Sequence, residues 1–174
     1  AVLSGSNGRQ GILLSIGIII TWFIKLILGR KHRSGFINSL TFGKYNKAFK
    51  PNRTPFDWLS RDPEEVDKYI NDPFCGKVFT VGFFHDFFRF LKRVQKLDNL
   101  FRVPRELPLF VYSGDKDPVG EAGKGVSRLV ETYRGTGIKD VLFILYPGGR
   151  HEMHNETNRD QVMADLAGWL KLHQ

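Results

Sequence analysis

The hydrophobic pattern of the chain changes period from one end to the other. Ala1-Val-Leu3 reads as the end of a strand and Ser4-Gly-Ser-Asn-Gly8 as the turn after it. The most apolar stretch follows: residues 12–24 carry only Ser15, Gly17 and Thr21 as softer positions before Lys25 interrupts. A membrane span needs about 20 apolar residues with few charges. This run is short and contains a lysine, so it predicts an apolar helix that lines a pocket and touches a bilayer surface, or else a plain core helix. Residues 29–55 are basic, bear Gly and Asn, and lack apolar periodicity, which predicts an irregular connection. Asp62-Pro-Glu-Glu65 then marks a helix start, with Asp62 as cap, Pro63 in the first turn and a stop before Pro73. Phe83, Phe84, Phe87, Phe88, Leu91 and Val94 recur at helical spacing, with His85, Arg89, Lys92 and Arg93 on other faces. That aromatic stripe reads as core, with a ligand-lining role as the alternative.

From residue 101 the period shortens. Residues 109–112 and 141–146 are continuous apolar runs of strand length, followed by helical patterns over 121–133 and 156–172. Strand, helix, strand, helix in short succession predicts an α/β fold with a parallel sheet and right-handed crossovers.

A length of 174 residues, 41% of them apolar and 13% aromatic, suits one packed protein rather than a disordered chain. The net charge of +8 concentrates in residues 30–33 and 44–53, with Arg89, Lys92, Arg93 and Lys96 adding to it. No nucleic-acid motif accompanies these residues, so no nucleic-acid partner is expected. The basic face is either simply solvated or rests on anionic lipid headgroups. Cys75 is the single cysteine, which excludes an internal disulfide and a Cys-rich metal site and fits a reducing compartment. With no secretory signal evident, a cytoplasmic location is expected, peripheral at a membrane if the apolar helix touches one.

Polar chemistry gathers just after the two late strands. Ser113-Gly-Asp-Lys-Asp-Pro-Val119 presents Asp115 and Asp117, and Tyr146-Pro-Gly-Gly-Arg-His-Glu-Met153 presents His151. In a parallel sheet the strand C-termini share one rim, where reactive groups collect. His154 stands three residues after His151, and His-Glu-Met-His is not the zinc pattern with two His four apart on one helical face. Gly120-Glu-Ala-Gly-Lys-Gly125 fails the spacing of a phosphate loop. No metal or cofactor is expected.

The acid turn at 113–119 and the histidine turn at 146–156 resemble those of the α/β-hydrolases. The histidine turn is similar to that of their monoglyceride lipase, lysophospholipase and serine-aminopeptidase-like branch. Asp57-Trp-Leu-Ser-Arg-Asp62, Val66-Asp67 and Asp72-Pro-Phe-Cys-Gly76 resemble the cap region of that branch. The resemblance implies a partial α/β-hydrolase fold with three C-terminal parallel strands, flanking helices and a helical cap insertion. Residues 1–8 would be a sheet strand and turn, 9–100 the cap, and 101–174 the C-terminal part of the core. It also implies that Asp117, at the family's acid position just before Pro118, orients His151 as general base and then acid.

The family carries its nucleophile in a Gly-x-Ser-x-Gly elbow, which this chain lacks, so the serine and the missing N-terminal half of the fold are expected upstream. Ser6 is the competing nucleophile, because Ser4-Gly-Ser-Asn-Gly8 is nearly an elbow and Ser6, Asp117 and His151 occur in the order the triad requires. The implied substrate is an acyl ester such as a monoglyceride or lysophospholipid, with an N-terminal peptide, or a non-catalytic role in binding lipid or a partner, as the alternatives. Half a parallel sheet would leave an unpaired edge, and self-association is expected of the isolated chain.

Overall fold

The computed structural model describes residues 1–173. Its centre is a parallel sheet of three strands, β1 (Val2–Ser4), β2 (Leu109–Gly114) and β3 (Val141–Tyr146), in the order β1-β2-β3. Val2 pairs with Phe110, and the β2–β3 register runs from Leu109 opposite Val141 to Gly114 opposite Tyr146. Every residue of β2 is buried, as the apolar run over 109–112 requires of a strand covered on both faces. Leu109 and Val111 point to one layer with Val126, Val130 and Ile138. Phe110 and Tyr112 point to the other, with Tyr146, Met153, Val162 and Trp169. Those layers are built on α6 (Lys124–Gly135) and α7 (Arg159–Leu172). The outer edge of β1 carries no strand among the described residues.

Between β1 and β2 lies a helical region: α1 (Ile12–Leu28), α2 (Gly35–Phe42), α3 (Pro63–Asn71), α4 (Val81–Val94) and the single turn α5 (Leu97–Leu100). The start of α3 is as expected, with the Asp62 carboxylate accepting from the Glu64 amide and Pro63 opening the helix. α1 packs along α4, and at Gly17 a Cβ would lie 2.9 Å from the Phe88 ring, so the two helices approach through that glycine. Ile37, Val81 and Phe84 form the small core of this region, with Ile24, Phe42 and Phe88 against it. No helix among the described residues is long and apolar enough to cross a membrane.

Five expectations are corrected. Residues 29–55 are not mainly irregular: α2 and a 3-10 turn (Tyr45–Phe49) occupy much of the segment. Ser34 nucleates α2 by accepting from the Ile37 amide, and Ile37 anchors it at 2% exposure. α6 starts at Lys124 rather than 121, because Glu121 and Ala122 take left-handed backbone angles. α7 starts at Arg159 rather than 156; Glu156 is held below it as a buried acceptor, and a 3-10 turn (Met153–Asn155) precedes it. His85 does not lie on an outer face of α4 but is buried against α1, its Nδ1 3.0 Å from Thr21 Oγ1. Finally, α1 lines no part of the cavity beside His151; α4 does so instead.

Candidate active site

The site is assembled where β2 and β3 end. A Cβ on Gly114 would lie 1.9 Å from the Gly149 carbonyl oxygen, so only a glycine lets the two turns close on each other. The Lys116 amide donates to Gly149 O at 2.9 Å, and the Asp115 amide to Tyr146 O at 3.1 Å.

This interlock separates the two candidate acids. Asp115 is spent on the turn itself, accepting from the Gly148 amide at 2.7 Å. Asp117 is fully buried and takes three donors: the Val119 amide on Oδ1 at 2.8 Å, and Ser113 Oγ and His151 Nδ1 on Oδ2, each at 3.1 Å. Such a carboxylate keeps its orientation and can hold an imidazole with its proton on Nδ1, leaving Nε2 to face a reactant. His151 keeps 28% of its side chain exposed, toward the cavity. The two residues singled out in the sequence, Asp117 and His151, therefore meet at hydrogen-bonding distance.

The loop at 57–61 fastens the histidine turn from the other side. The His151 amide donates to Trp58 O at 3.4 Å and the Glu152 amide to Leu59 O at 2.8 Å. Arg150 Nη1 donates to the carbonyls of Asp57 and Ser60, and its guanidinium lies 4.2 Å over the Phe49 ring. Burial holds the Arg150 pKa below its ordinary value. Beneath this loop Glu156 Oε1 accepts from the amides of Arg61 and Arg150, and Oε2 from Arg61 Nε at 2.7 Å and the Thr157 amide.

Sequence reasoning missed these roles. The 57–62 stretch and the end of the 146–156 turn carry only a family resemblance in the sequence, and the pairing of Arg61 with Glu156 across 95 positions has no local signal.

His151 opens on a cavity of about 470 Å³. Phe87, Phe88, Leu91 and Val94 of α4 form one wall, and Trp58 and Tyr45 stand close to the histidine. The Trp58 and His151 ring centroids are 5.3 Å apart, and those of Tyr45 and Trp58 5.1 Å. Burial, and after it the Asp117 charge, raises the Tyr45 phenol pKa. The phenol is thus neutral at neutral pH, and it was not singled out from the sequence. Ser6 lines the same cavity, and a Cβ on the neighbouring Gly5 would lie 3.1 Å from His151 Cε1 and Nδ1. Ser6 Oγ has no hydrogen bond to His151. His154 is turned away, its Nε2 2.5 Å from the Tyr112 hydroxyl, and no metal-ligand cluster occurs among the described residues.

A family model described as serine aminopeptidase, S33, matches residues 3–158. The chain belongs to that family. As an S33 member it shares its fold with solved esterases and lipases. A thermostable carboxyl esterase from Bacillus coagulans, in complex with glycerol, superposes with a TM-score of 0.87 at 26% identity, over 98% of this chain and 55% of that one. A lipase in an open form matches at 0.80 and 22% identity, over 98% and 56%. A soluble variant of monoglyceride lipase from Saccharomyces cerevisiae, in complex with a substrate analog, matches at 0.64 and 18%, over 99% and 55%. The S33 chain thus spans slightly more than half the length of these structures.

Proposed function

We propose that this chain is the part of a serine ester hydrolase that carries the acid and the base, acting on a monoacylglycerol or lysophospholipid. The observation that carries the reading is the buried Asp117 carboxylate bonded to His151 Nδ1 at the wall of an apolar cavity. In this reading residues 9–100 are the cap and 101–174 the C-terminal core. A serine from outside the chain attacks the ester carbonyl while His151 Nε2 takes its proton. His151 then returns that proton to the leaving alcohol, and water repeats the sequence on the acyl-enzyme. Asp117 holds the ring and stabilises the imidazolium. The oxyanion donors also lie outside the chain, and the apolar wall of α4 takes the acyl tail. The cap is the side that meets the membrane surface. The family description favours one second reading, release of an N-terminal residue from a peptide.

A serine-reactive fluorophosphonate separates these ideas. Labelling of a longer protein that includes the preceding residues, with none of this chain alone, is the expected result. Absence of labelling in both would leave a binding protein. Labelling of this chain that Ser6→Ala abolishes would make Ser6 the nucleophile. In the longer protein, turnover of monoacylglycerol over aminoacyl amides is expected, and the reverse preference selects the peptidase reading.

A further inference from the structure

α1 is amphipathic the wrong way round for a helix of a soluble protein. Its inward face carries Leu14, Gly17 and Thr21, with Leu14 and Thr21 buried. The face turned to solvent carries Ile12, Ile16, Ile19, Phe23, Leu26 and Ile27, exposed by 46–78%. Their spacing of three, four and seven residues places them on one stripe. Phe36 and Leu40 on α2 are likewise 61% and 57% exposed. A patch this large marks an interaction site rather than ordinary surface.

The charge of the protein is segregated onto the same part of the chain. The first 56 residues hold nine Lys and Arg and no Asp or Glu, while the rest hold 17 basic and 18 acidic residues. The whole net charge therefore belongs to the segment that contains α1 and α2. Lys31, just past α1, and Lys47 and Lys50, after α2, make no salt bridge with any described residue. An exposed apolar helix with unneutralised lysines beside it is complementary to a surface with an apolar interior and a negative skin.

We infer that α1 and α2 dock on an anionic lipid bilayer, with the outward stripe of α1 in the acyl–headgroup boundary and the lysines on the phosphates. This deepens the ester-hydrolase reading by assigning where an amphiphilic substrate is met. Vesicle binding is measured without turnover, so the two stand or fall separately.

The test is co-sedimentation with vesicles of phosphatidylcholine alone and of phosphatidylcholine with phosphatidylglycerol, at low and high salt. Binding to the phosphatidylglycerol vesicles, weakened by salt, is expected. The variant Lys31→Gln/Lys47→Gln/Lys50→Gln should lose roughly 100-fold in partition, at about fivefold per lysine. The variant Ile16→Asn/Ile19→Asn/Phe23→Ser changes exposed residues only, so helical circular dichroism should persist while binding is lost. Equal binding to pure phosphatidylcholine overturns the inference. So does undiminished binding by the α1 variant; if that variant also turns an oligomer into a monomer, the face belongs to a second copy. Binding by this chain but not by a longer protein that includes the preceding residues also overturns it, because α1 is then covered from within.

Discussion

Asp115 and Asp117 have the same chemistry two positions apart, yet they do different things. Asp115 closes the turn through the Gly148 amide, whereas Asp117 takes its three donors while fully buried, one of them His151. In a longer protein that supplies the nucleophile, Asp117→Asn should lower kcat/KM for a short ester on the order of ten-thousandfold, and Asp115→Asn far less. Steady-state kinetics on the two variants decides it, and equal losses would reject the assignment of the acid. Glu156 is the other buried carboxylate that matters here, because it accepts from two chain segments at once. Glu156→Leu strands the Arg61 guanidinium and three amides and should cost about 3 kcal/mol in urea unfolding. Asp117 and His151 were legible as candidates because strand-then-polar-turn is a local pattern. Glu156 was not, because its partner Arg61 is remote in sequence.

At the scale of elements, the contact between α1 and α4 carries a titratable group. His85 lies between the helices beside Thr21, and Thr21 Oγ1 donates back to Gly17 O at 2.7 Å. Burial, and after it the Lys25 charge, holds the His85 pKa below its ordinary value of 6.5. A depressed pKa means that the unfolded chain binds the proton more readily. The contribution of His85 to stability is therefore full above 6.5 and is lost as pH falls through its folded value. The thermal midpoint should drop across that window, and His85→Asn should flatten the slope. His173 has the opposite sign. The Trp169 carbonyl and then Asp140 raise its pKa, so its contribution is present below 6.5 and fades as pH rises through the folded value. The helical register of α4 was readable from its aromatics. The burial of His85 was not, since a polar residue on an amphipathic helix reads as solvent-facing until a second helix is placed over it. α2 escaped for another reason: its eight residues, Gly35–Phe42, follow a basic run and are too few to establish a period.

For the whole molecule, the decisive feature is a sheet open on one side. Among the described residues β1 bonds only to β2, and its other edge has no strand paired to it. Sedimentation of this chain alone should give particles heavier than 20.0 kDa, and a longer protein that supplies a neighbouring strand should run as a monomer. A monodisperse, cooperatively melting 20.0 kDa species would remove that expectation.

The sequence by itself determined the parallel strands, the order of the elements after residue 101, the start of α3 and the two turns that bear Asp117 and His151. All of these are short-range patterns, in which the period of apolar residues or a capping residue is enough. The tertiary structure alone decided which remote arginine pairs with Glu156, which helix walls the cavity and which face of α1 is left outside. Those outcomes depend on contacts between segments up to a hundred residues apart, and a linear pattern of polarity says which residues prefer burial but not what they are buried against.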